Sequence, residues 1–135
     1  AAQNIVPTHT GAARATALAY PSMENKFDGI AVRVPVASGS LVDVTFVSKK
    51  PTTVEEVNEA LRAAANSDVW KKVFAVTDEP LVSSDILGLP YGSIADLSMT
   101  RVVDGTLVKV LAWYDNEMGY VHTLIEHVCA VGAKL

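Results

Sequence analysis

The chain has 135 residues, 50% of them hydrophobic and 19% charged, with a formal net charge of −4. That balance suits a folded domain able to bury a core and excludes a disordered chain. Eleven scattered Lys and Arg, and no apolar stretch near the ~20 residues of a bilayer span, argue against nucleic acid or a membrane as the main partner, so a soluble, cytoplasmic protein is expected.

Residues 3–7 read as a short strand stopped by Pro7, followed by a helix through "THTGAARATALAY", with Thr10 at its N-cap, Gly11 in its first turn and Pro21 at its end. In "GIAVRVPV", residues 29–36, Ile30, Val32, Val34 and Val36 share one face of a strand and Arg33 stands on the other. The Ser38-Gly39-Ser40 turn leads to a second strand, "LVDVTFVSKK", and their nearness predicts that the two pair antiparallel. Thr53 and Glu56 form a capping box before a helix whose Val54, Val57, Leu61 and Ala64 or Ala65 line one face.

"VFAVT", residues 73–77, reads as another strand. From Asp78 to Tyr91 runs a long connection of the kind that wraps a site or an interface. "SIADLSMTRVV" and "TLVKVLAWY" flank Asp104-Gly105, a strong hairpin signal. Residues 117–133 close the chain as a helix with Val121, Leu124, Ile125, Val128 and Val131 on one face and Gly132 as its C-cap. The elements predict an α+β fold: a largely antiparallel or mixed sheet, helices packed on one face, and a C-terminal amphipathic helix.

Little in this pattern supports catalysis by the chain itself. His122 and His127 lie about 140° apart on a helix, and no metal site is expected. His122 has Glu126 within one turn as a pairing partner. Cys129, the single cysteine, sits in "HVCAVG" and reads as a packed core thiol rather than a nucleophile. An anion site is better supported. Thr10 and Gly11 open a helix, where free N–H groups favour an anion. Arg33 offers a phosphate a fork of charged donors, unless it is held by a carboxylate such as Asp43 on the next strand.

"NIVPTHTGAARA", "GIAVRVPV", "KKPTTVEEVNEALRAAA", "DEPLVSSD" and "VKVLAWYDNEMGY" together resemble glyceraldehyde-3-phosphate dehydrogenase over its C-terminal portion, collinearly and along essentially the whole chain. The resemblance implies oxidation of a phosphorylated three-carbon aldehyde to an acyl phosphate, with NAD and inorganic phosphate, through a cysteine thiohemiacetal and thioester. It assigns Thr10 and Gly11 to the inorganic-phosphate subsite, Arg33 to the substrate phosphate and Asn116 to the nicotinamide carboxamide, with Tyr120 beside that ring. It further implies a homotetramer, a partial catalytic domain over residues 1–116, and a helix over 117–135 that packs on an NAD-binding domain.

Two local departures from the family stand out: Met118 where a tryptophan is frequent, and Val121-His122-Thr123 where "SNR" is. The "TGAA" run favours the three-carbon substrate over the four-carbon one of the related erythrose-4-phosphate enzymes. The family's nucleophilic cysteine, its histidine partner and its dinucleotide-binding domain are expected upstream of Ala1, since no G-x-G-x-x-G follows a strand here. The 135 residues are therefore expected to be a piece of a longer enzyme, inactive alone. The competing expectation is a non-catalytic binding or oligomerisation module derived from that domain.

Overall fold

A computed structural model describes residues 3–135 and divides the chain into two compact units, the first ending at Ala37 and the second spanning Ser38–Leu135. The 116/117 boundary drawn from the sequence falls inside the second.

The first unit holds strand β1 (Val6–Thr8), helix α1 (Ala12–Ala19), a 3-10 turn over Pro21–Met23 and strand β2 (Ala31–Arg33). The two strands form an antiparallel ribbon in which Val6 faces Arg33 and Thr8 faces Ala31. Pro7 lies within β1 rather than ending it, because a strand at the edge of a sheet can spare a donor. β2 is shorter than the expected 29–36. The Val36 N–H turns back to the Val34 carbonyl at 2.8 Å, a three-residue turn centred on Pro35 that ends the extended run. Its apolar row is not covered: Ile30, Val32, Val34 and Val36 are all exposed.

The second unit is built on a four-stranded sheet in the order β3-β6-β5-β4, from β3 (Ser40–Val47), β4 (Phe74–Thr77), β5 (Ser93–Val103) and β6 (Leu107–Tyr114). β3 does not pair with β2 as its nearness in sequence suggested. It pairs antiparallel with β6 along its whole length, Ser40 opposite Tyr114 through Val47 opposite Leu107, a longer ladder than the three residues of β2 offer. Asp104 and Gly105 carry φ of 49° and 66° in the tight turn that joins β5 to β6 as read from the sequence. β4 runs parallel to β5, which the long 78–92 connection permits. The α+β class holds, with a mixed sheet.

Helix α2 (Val54–Ala65) packs on β4 and β5. Its capping box is formed on both sides: the Glu56 N–H donates to the Thr53 hydroxyl at 3.3 Å, and the Thr53 N–H donates to the Glu56 carboxylate at 3.2 Å. Asn58 satisfies an irregularity of β5 between Asp96 and Arg101, donating to the Leu97 carbonyl at 3.1 Å and accepting from the buried Thr100 hydroxyl at 2.6 Å. The core around these contacts comprises Ile86, Ile94, Ala95, Leu97, Val108 and Ala112.

Helix α3 (Met118–Gly132) follows β6 directly. Gly132 lies in its last turn and Ala133 ends it, so the glycine is not the cap. No helix among the described residues is long and apolar enough to cross a membrane.

Removing the hydroxyl that closes the start of α2 strands the Glu56 N–H. Thr53→Ala is expected to destabilise the protein by about 1 kcal/mol, read as a lower urea midpoint at unchanged slope, while Thr53→Ser restores most of the loss.

Candidate functional site

In the first unit the sequence-predicted residues lie at the two ends of the β1–β2 ribbon. Thr10 and Gly11 precede α1, whose N-cap is Gly11 with no side-chain cap, rather than Thr10. The Thr10 hydroxyl instead accepts the Ala12 N–H at 3.2 Å, and both Thr10 and Gly11 are exposed. Arg33 stands opposite Val6, two positions along the ladder from the Thr8–Ala31 pair nearest Thr10, a run of roughly 7 Å. Its guanidinium makes no hydrogen bond or ion pair among the described residues. Asp43, the carboxylate that the sequence offered it, is held by Lys109 at 2.5 Å. A concavity of about 860 Å³ in this unit is lined by residues of α1 and of the 21–28 segment and includes none of Thr10, Gly11 and Arg33.

In the second unit, "WYDNEMGY" marks the passage from β6 into α3. Asp115 is 6% exposed, and its carboxylate accepts three backbone N–H groups. One oxygen takes Glu117 at 2.8 Å and Met118 at 3.0 Å, capping the first turn of α3, and the other takes Gly88 at 2.8 Å. These donors, Gly88 foremost, hold the Asp115 carboxyl below the usual aspartate range. Asp115 thus ties the start of α3 to the 83–88 turn, within the connection that the sequence marked as one that wraps a site.

Asn116 is exposed beside this clamp, and its side-chain oxygen accepts the Gly39 N–H at 3.1 Å. Gly39 has a φ of +88°, and a Cβ there would stand 2.9 Å from the Ser83 carbonyl oxygen and 3.2 Å from Ile86 Cδ1. The turn before β3, the 83–88 turn and the β6–α3 junction therefore converge on Asn116. On the sheet below, the Trp113 indole donates to the buried Asp96 at 3.2 Å. Tyr120 is exposed on the first turn of α3.

Helix α3 is turned opposite to its apolar row. Val121, Leu124, Ile125, Val128 and Val131 are exposed, whereas its inward contacts are small or polar. A Cβ on the buried Gly119 would stand 2.5 Å from the Tyr91 carbonyl oxygen, and Thr123 lies against Gly92. Glu126 pairs with Lys72 at 2.7 Å rather than with His122. Cys129 is exposed, not the packed core thiol expected from its neighbours.

The sequence reading named Asn116 as a candidate and did not name Asp115, Gly39 and Gly119, which hold its side chain, its backbone and its helix in the structure. An aspartate two residues before a helix N-terminus was the available signal for the first. The glycines give none without the backbone they approach.

Residues 1–116 match the family described as Glyceraldehyde 3-phosphate dehydrogenase, C-terminal domain. Over 135 residues the chain is 46% identical to glyceraldehyde-3-phosphate dehydrogenase 2 of Streptomyces avermitilis and 47% identical to glyceraldehyde-3-phosphate dehydrogenase of Zymomonas mobilis. Over 134 residues it is 46% identical to the protein of that name from Geobacillus stearothermophilus. These alignments take in 99–100% of the chain but only 40% of each relative's length.

Because the Asp115 carboxyl is held below its ordinary range, its contribution to stability is complete above about pH 4 and is lost as pH falls through the lowered value. Asp115→Asn is expected to lower the thermal midpoint at pH 7. The gap to the parent protein should narrow progressively below pH 4, in melting curves recorded between pH 2.5 and 7.

Proposed function

Since the chain belongs to the glyceraldehyde 3-phosphate dehydrogenase family, we propose that it supplies the phosphate-binding and nicotinamide-facing part of a longer, cytoplasmic, tetrameric glycolytic dehydrogenase. The observation that carries this reading is Arg33, an exposed guanidinium with no partner among the described residues, on the strand where the family binds substrate phosphate. In this reading Arg33 binds the phosphate of the three-carbon aldehyde. The Thr10 hydroxyl and the N–H groups opening α1 hold the inorganic phosphate that becomes the second phosphate of 1,3-bisphosphoglycerate. NAD accepts the hydride when bound. Toward it this chain offers the exposed amide of Asn116, whose nitrogen end is turned away from Gly39 and suits a carboxamide partner.

The nucleophilic cysteine and its histidine belong to the other three-fifths of the enzyme. The 135 residues alone are therefore expected to show no turnover of glyceraldehyde 3-phosphate with NAD and phosphate, even at high protein concentration. Joined to the N-terminal three-fifths of the Geobacillus relative, they are expected to be active. In that chimera Arg33→Ala should cut kcat/KM for the phosphorylated aldehyde roughly 10- to 100-fold and leave unphosphorylated glyceraldehyde nearly unchanged. Robust turnover by the isolated chain, or equal losses with both aldehydes, would overturn the assignment.

The exposed apolar row of α3 supports a second element of the proposal: residues 117–135 dock on the cofactor-binding domain. Rapid hydrogen exchange across α3 in the isolated chain, slowed when the missing part is added, is the expected outcome. Strong protection in an isolated monomer would argue against it. A stable, specific oligomer of the chain in native mass spectrometry would instead favour an assembly module.

A further inference from the structure

We infer that Gly39 is a positioning residue for Asn116, its backbone N–H fixing which end of the Asn116 amide faces the cofactor; this rests on the reading that Asn116 meets the nicotinamide. An asparagine amide has an accepting oxygen and a donating nitrogen, and rotation by half a turn exchanges them. The group 3.1 Å from the Asn116 side chain is a backbone N–H, which can only donate. The end turned toward it must be the oxygen. Nδ2 is left pointing elsewhere, with no partner among the described residues, on a side chain that is exposed. The cofactor therefore meets a donor, and the atom recognised is an acceptor such as the carboxamide oxygen.

The direction of the Gly39 N–H is itself fixed. Its φ of +88° is one that residues with a Cβ rarely adopt, and the space where a Cβ would stand is taken by the Ser83 carbonyl oxygen and Ile86. Ile86 is fully buried. Asp115 closes the other side by holding the N–H groups of Glu117 and Met118. Asn116 thus sits between two backbone segments that are each pinned to the 83–88 turn.

The test is a binding cycle in the full-length protein, with NAD and with ADP-ribose, which lacks the nicotinamide, measured by calorimetry. Asn116→Ala and Gly39→Ala are each expected to weaken NAD about three- to tenfold and to leave ADP-ribose unchanged. Together they should weaken NAD no more than Asn116→Ala alone. Additive losses, or an unchanged NAD affinity in Gly39→Ala, would overturn the role of Gly39. Normal NAD affinity in Asn116→Ala would instead overturn the placement of Asn116 at the nicotinamide.

A second measurement needs no substitution at the glycine. Asn116→Asp keeps an acceptor for the Gly39 N–H but loses the donor, so amide exchange at Gly39 should stay slow while NAD weakens. In Asn116→Ala the same amide should exchange at least tenfold faster. Equal exchange rates at Gly39 in the two variants would overturn the inference.

Discussion

The arrangement around Asn116 depends on one buried carboxylate. Asp115 has two oxygens and gives both to backbone donors, two from the first turn of α3 and one from Gly88. A helix start carries N–H groups with no partner inside the helix, and a charged acceptor meets that need better than a neutral one. Because the third donor comes from a distant turn, the same carboxylate that starts the helix also locks the 83–88 segment beneath it. That segment in turn leaves no room for a side chain at position 39, so the junction, the turn and the glycine are one coupled structure.

The second constraint is that α3 presents its apolar row outward. A helix in a self-contained domain buries its apolar stripe, yet Gly119, Thr123 and Glu126 face inward here while Val121, Leu124, Ile125, Val128 and Val131 face out. Gly119 makes the close approach possible, since only a hydrogen fits beside the Tyr91 carbonyl. Five exposed aliphatic side chains in one row are more than scattered surface hydrophobes, and a contiguous apolar strip of this kind marks an interaction surface.

Local signals in the sequence located the elements well. The capping box at Thr53, the Asp104-Gly105 turn and the stripe of α2 each act over a few residues, and each formed as read. Pairing between strands was less legible. Nearness placed β3 beside β2, but backbone bonds favour the partner of matching length, and β6 lies some sixty residues away. Gly132 shows a related limit, since a glycine near a helix end is a cap only if its backbone turns left-handed. Of the site, the exposed residues were visible through family resemblance, whereas Asp115, Gly39 and Gly119 act through backbone atoms that carry no side-chain signature. Periodicity found the apolar row of α3 but could not say which way it faced.

Backbone control of the junction also bears on Met118. By the resemblance read from the sequence, Met118 replaces a tryptophan, just after Asn116 and Glu117 at the start of α3. What Asp115 holds at that position is the Met118 N–H, while the side chain is 46% exposed. Any residue that can start a helix supplies the same donor, so the clamp survives the exchange. The tolerant positions are those whose side chains face out, Glu117 and Met118. The intolerant ones are those whose side chains either accept backbone donors, as Asp115 and Asn116 do, or must be missing, as at Gly39 and Gly119. Within residues 115–119 the clamp uses the side chains of Asp115 and Asn116 and the absence of one at Gly119, while the outward side chains of Glu117 and Met118 take no part in it.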